Sequence, residues 1–83
     1  MKTFRYIPRG VCSRAIEIDL EGDVIAAVRF TGGCAGNTKG VAALAEGMTA
    51  AEAIKRLSGI RCGFKSTSCP DQLAEALREA LEA

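Results

Sequence analysis

At 83 residues, with eleven basic and ten acidic side chains, the chain is sized for one small domain. It is too short for a two-lobed cofactor enzyme and too neutral for a nucleic-acid module built on a basic surface. Hydrophobic residues at 48% and charged residues at 25% exclude a disordered composition, and no apolar run approaches the ~18 residues of a membrane span.

The first apolar, β-prone run is Phe4 to Ile7, stopped by Pro8 and Gly10, and it reads as a short edge strand. From Ala15 to Leu20 the pattern alternates. Ile16, Ile18 and Leu20 share one face and Glu17 and Asp19 the other, as in a half-buried strand. Gly22-Asp23 marks a tight hairpin turn. The run Val24 to Thr31 follows, with Val24, Ala26, Val28 and Phe30 expected on its inward face. A glycine-rich turn, Thr31 to Asn37, ends the strand region.

Helical spacing then begins. Val41, Leu44, Ala45 and Met48 fall on one stripe, and Gly47 is a plausible stop. Thr49-Ala50-Ala51-Glu52 is a capping box for a second helix, in which Ala53, Ile54 and Leu57 face inward and which Gly59 ends. Ile60 to Ser68 reads as irregular. Pro70 suits the first position of a third helix, making Cys69 its N-cap. Leu73, Leu77 and Leu81, with Ala74 and Ala80 alongside, give that helix an apolar stripe. Three strands followed by three helices predict an α+β domain, a three-stranded antiparallel sheet with helices packed on one face.

The chain has no histidine, which removes Ser-His and Cys-His nucleophile pairs and every imidazole zinc ligand. With the carboxylates mainly on exposed faces, no independent catalytic activity is expected. The four cysteines stand out: Cys12, Cys34, Cys62 and Cys69 all fall at junctions between elements. Junctions at one end of a sheet can converge, and four thiolates satisfy a tetrahedral zinc ion or hold an iron–sulfur cluster. Cys34 and Cys69 stand at or near helix starts, where unpaired N–H groups favour a thiolate, and Lys55, Arg56, Arg61 and Lys65 flank Cys62. The paired Cys-x(2–4)-Cys spacing of a local zinc knuckle is absent.

Two other chemistries compete with a metal site. Cys62 and Cys69 are close enough in sequence to cycle between dithiol and disulfide as a redox relay. The Gly32–Gly40 run, with Lys2, Arg5, Arg9 and Arg14, offers an anion cradle for a nucleotide, although it lacks the order of a P-loop. The first residues carry no apolar stretch of the signal-peptide kind, so a cytoplasmic setting with reduced thiols is expected.

The segment Gly59-Ile60-Arg61-Cys62-Gly63, followed by Thr67-Ser68-Cys69-Pro70-Asp71-Gln72-Leu73-Ala74, resembles the signature of the TSCPD-domain family. The turn Gly33-Cys34-Ala35-Gly36-Asn37 and Gly40 fit it too, so the resemblance covers nearly the whole chain as a single domain, residues 1–83. It implies a stand-alone four-cysteine protein, related to a domain at the C-terminus of adenosylcobalamin-dependent ribonucleotide reductases. That points to a protein partner such as ribonucleotide reductase. End to end, the chain is also similar to the iron–sulfur cluster assembly scaffold fold, whose three cysteines correspond to Cys12, Cys34 and Cys69. The chain departs from that pattern: Arg14 replaces its aspartate, Ser68 replaces its histidine, and Cys62 lies in a loop lacking its chaperone-recognition stretch. A set of four thiolates, Cys12, Cys34, Cys62 and Cys69, favours a stable structural metal over cluster transfer, with zinc ahead of an iron–sulfur cluster.

Overall fold

The alternating run ending at Leu20 and the run after Gly22 fold back on each other, as their patterning requires. The computed structural model describes residues 2–10, 13–32, 35–60 and 67–82. The strands are β1 (Lys2–Tyr6), β2 (Ser13–Glu21) and β3 (Val24–Gly32), and the helices are α1 (Ala35–Ala45), α2 (Ala50–Leu57) and α3 (Cys69–Glu82). The sheet runs in the order β1-β2-β3, antiparallel throughout, so the α+β expectation holds. Gly22 at φ +64° supplies the left-handed first position of the two-residue turn, while Asp23 keeps a negative φ, the signs of a type II′ hairpin.

One face of the sheet is apolar. Ile16, Ile18 and Leu20 are buried there, with Phe4 and Val28 opposite Ile18 and with Tyr6 and Phe30 opposite Ile16. The other face is solvated: Arg29 pairs with Asp19 at 3.1 Å and Glu17 at 3.5 Å, and the Thr3 hydroxyl donates to Asp19 at 2.8 Å. The hydrogen bonds from Arg29 and then Thr3 hold the Asp19 carboxyl below its usual range.

Strict alternation fails at the start of β3. Asp19 pairs with Ala27 and Leu20 with Ile25, so Ala26 is an extra residue on β3. This bulge turns Ile25 into the core at 0% exposure and leaves Val24 exposed, reversing the expected inward set of Val24 and Ala26. A second bulge, at Arg14, lets Ser13 face Gly32.

The helices cover the apolar face. α1 packs on β3, α3 crosses β2 and β1, and α2 packs on α3. α1 presents Thr38, Ala42 and Ala45, all buried, while Leu44, expected inward, is 79% exposed. Two backbone bonds fix the roll of the helix: Gly47 N–H donates to the Ile25 carbonyl and Ile25 N–H to the Met48 carbonyl, both at 2.8 Å. Small residues on the buried stripe then allow close approach to the sheet. Gly40, expected in a loop cradle, lies inside α1 with open space where a Cβ would stand.

α2 starts as its capping box requires, with Thr49 accepting from Glu52 N–H at 3.2 Å. On α3, Leu73 and Leu77 are fully buried, but Leu81 is 46% exposed and Ala80 takes its place. A spacing of four drifts by about 40° per step around a helix of 3.6 residues per turn, so the third member leaves the face. Lys2 closes the far end of α3, its Nζ donating to the Ala80 carbonyl at 2.5 Å. That employs part of the N-terminal basic run that had suggested an anion contact.

Three substitutions test this packing in urea unfolding. Leu77→Ala should cost about 2–5 kcal/mol. Leu44→Lys should stay within about 0.5 kcal/mol, and a larger loss would place Leu44 in the core. Gly40→Ala should stabilise by about 0.5–1 kcal/mol, because a helical site with free space gains from the added Cβ.

Candidate functional site

The sheet has two unlike ends. At the hairpin end, the α1–α2 turn and the start of α2 are strapped to the hairpin turn and β3 by backbone bonds, including Ala50 N–H to the Asp23 carbonyl at 2.7 Å. At the opposite end, side chains make the connections, and they gather around the first turn of α3.

The head of α3 is buried. Ser68, at 4% exposure, caps the helix: its Oγ accepts from Asp71 N–H at 3.2 Å and its carbonyl accepts from Gln72 N–H at 2.8 Å. The helix therefore begins at Cys69, one residue earlier than expected, with Pro70 second, because a serine hydroxyl is the better cap. The same Ser68 hydroxyl donates to the Ile60 carbonyl at 2.6 Å. Asp71 accepts from Gly59 N–H at 2.7 Å and from Thr67 Oγ1 at 2.5 Å. These bonds tie the chain leaving α2 to the head of α3.

The chain joining β1 to β2 is tied to the same turn. Gln72, 7% exposed, accepts at Oε1 from Tyr6 OH at 3.2 Å and Arg9 N–H at 2.9 Å, and donates from Nε2 to Thr67 Oγ1 at 3.0 Å. Gly10, at φ +70°, passes so close to Thr67 that a Cβ would stand 3.1 Å from its Cγ2. Beyond it, Ser13 Oγ lies 3.1 Å from Cys69 Sγ, both buried, and Ser13 pairs with Gly32 at the end of β3.

Of the four expected ligands, Cys69 is described, buried and free. Cys12, Cys34 and Cys62 lie outside the described residues. Among the described residues no group of three His, Cys, Asp or Glu side chains could hold a metal ion. What the structure brings together is the chain beside each cysteine: Ser13 next to Cys12, Gly32 two residues before Cys34, and Ile60 two residues before Cys62 all meet the Ser68–Cys69 corner, directly or through Ser13. Arg56, expected to add positive charge near Cys62, instead pairs with Glu52 at 2.7 Å, and Lys55 is exposed.

Sequence reading missed Ser13, Ser68, Asp71 and Gln72. For two of them a signal existed, since Ser68-x-x-Asp71 ahead of the Leu73/Leu77 stripe is itself a capping box. For Ser13 and Gln72 none did, because the Ser13 partner is 56 residues away and the two donors to the Gln72 oxygen are 63 and 66 residues away in the chain.

A family model, the TSCPD domain, matches residues 1–81. No curated protein and no solved structure matches the chain, so the likeness to the iron–sulfur scaffold fold gains no support.

Two outcomes follow from this corner. Ser68→Ala removes a cap and the partner of the Ile60 carbonyl, and should cost about 1–2 kcal/mol in chemical denaturation. Tyr6 is the sole tyrosine, and burial, then Glu79 and Glu75, push its pKa above the ordinary value. The neutral phenol is thus favoured by folding. Its contribution is complete below the ordinary tyrosine range and is lost as pH rises through the raised value. Phenolate absorbance should appear at higher pH in folded protein than in urea, and coincident titrations would contradict this placement.

Proposed function

The chain belongs to the TSCPD-domain family, and we propose that it is a small metal-binding module in which Cys12, Cys34, Cys62 and Cys69 hold one zinc ion. The reading rests on one observation: chain adjoining each of the four cysteines is drawn to the corner where Ser13, Ser68 and Cys69 touch. Consecutive Cα atoms are about 3.8 Å apart, so chain connectivity keeps the Cα of a residue one or two positions from a fixed point within about 8 Å of it. The donor set suits zinc, which takes four thiolates in a closed tetrahedral site. The described part of the corner suits a ligating sulfur as well, because the Ser13 hydroxyl stands within hydrogen-bond range of Cys69 Sγ and can supply a donor to it.

Bound there, the ion supplies a crosslink that ties the β1–β2 link, the end of β3, the α2–α3 link and the head of α3. In a domain this small, its binding free energy adds to the stability that the apolar core already provides. An iron–sulfur centre is the other occupant of the same ligand set. The role beyond the site is that of an accessory domain for a protein partner, with ribonucleotide reductase or another nucleotide enzyme as the candidate drawn from the family resemblance.

A redox relay between Cys62 and Cys69 competes with this reading. The burial of Cys69, at 8% exposure, favours the metal, because a cycling thiol needs access to its electron donor. The nucleotide reading loses support from Gly40, which lies in a helix.

Metal analysis of protein purified without added metal, with each Cys→Ser variant, tests the proposal. About one equivalent of zinc and loss of uptake in every variant is expected. A trace of metal, with all four variants still folded, overturns it. A brown protein carrying iron exchanges zinc for a cluster at the same four residues. Four free thiols and a reversible Cys62–Cys69 bond establish the relay instead.

A further inference from the structure

Gln72 is a polar residue in a place where an apolar one would pack. It sits on the buried face of α3 beside Leu73 and Ala76, with 7% of its surface exposed. A buried amide is costly unless its oxygen and its nitrogen both find partners. Here both do, and the bonds link two segments distant in sequence. Its oxygen holds the Arg9 N–H and the Tyr6 hydroxyl, and its nitrogen holds Thr67 Oγ1. The orientation is forced. The Thr67 hydroxyl spends its proton on Asp71 Oδ2 at 2.5 Å, so it can only accept from Gln72, which leaves the amide oxygen to face Arg9. Arg9 is three residues before Cys12 and Thr67 is two before Cys69. Gly10, next to Arg9, lies so close to Thr67 that a Cβ there would stand 3.1 Å from Thr67 Cγ2, and its φ of +70° favours glycine.

We propose that Gln72 is a positioning residue for the metal site: by tying Arg9 to Thr67 it sets the approach of the Cys12 segment to the Cys69 corner before any ion binds. This rests on the four-cysteine reading given above. The tie needs both ends of the amide, which is why a glutamine stands there and a leucine does not. A ligand segment held in place in the metal-free protein loses less freedom when the ion arrives, so the tie should be read in affinity and not in ligand number.

The test uses Gln72→Met, which keeps the volume and removes the bonds, with Ile54→Val as a control for lost packing elsewhere. Chelator competition measures zinc affinity, and hydrogen exchange in the metal-free protein follows the Arg9 amide. We expect Gln72→Met to bind the same one equivalent with about ten- to hundredfold weaker affinity and to lose Arg9 protection. Ile54→Val should keep both properties of the wild type. If Gln72→Met fails to fold, Thr67→Val breaks the same tie from its other end and should give the same loss. Wild-type affinity and Arg9 protection in the variant overturn the assignment alone. Wild-type protein that takes up no metal overturns the reading of the site and this assignment with it.

Discussion

A helix that begins inside a protein must find partners for its first N–H groups without help from water, and the cysteine end of this domain is organised around that requirement. α3 starts at Cys69 with Ser68 and Cys69 both buried. The Ser68 hydroxyl answers one N–H, at Asp71, and with its own proton holds the Ile60 carbonyl. Asp71, drawn into the first turn by the same geometry, has its carboxylate at the positive end of the helix and there collects Gly59 N–H and Thr67. Satisfying the helix start thus fastens Gly59, Ile60 and Thr67 to it. The Thr-Ser-Cys-Pro-Asp segment is a capping apparatus around one sulfur, and its hydroxyls and carboxylate are as much a part of the corner as the cysteine.

The fold was largely legible because its signals are local. Alternation at Ile16–Leu20, the glycine of the hairpin and the box at Thr49–Glu52 each declare themselves within a few residues. The misplacements share a different cause. Ala26 became a bulge and Leu44 turned outward because β3 is strapped to the α1–α2 turn, a contact across some twenty residues that no periodicity in either segment encodes. Leu81 left the core for a geometric reason, the drift of a four-residue repeat around the helix axis.

The candidate site was legible in its sulfur atoms and illegible in their support. A cysteine is conspicuous in composition, whereas Ser13 and Gln72 look like any other polar residues until their partners are in place. Gln72 is the sharper case. Its side chain sits on the apolar face of an amphipathic helix, where pattern alone would treat it as an interruption. Three hydrogen bonds turn that interruption into a joint between the first strand and the last helix.

The contrast between the two ends of the sheet bears on the order in which the chain assembles during synthesis. The hairpin end closes through contacts between residues 23–25 and 47–50, all present once α2 has emerged. The other end joins Ser13 to Cys69 and Tyr6 to Gln72, loops more than twice as long whose entropy cost must be met before any reward arrives. In a nascent chain the hairpin and its α1 cover therefore close first, while the apolar face over β1 and β2 waits for the fourteen-residue α3, which brings both the cover of that face and Cys69.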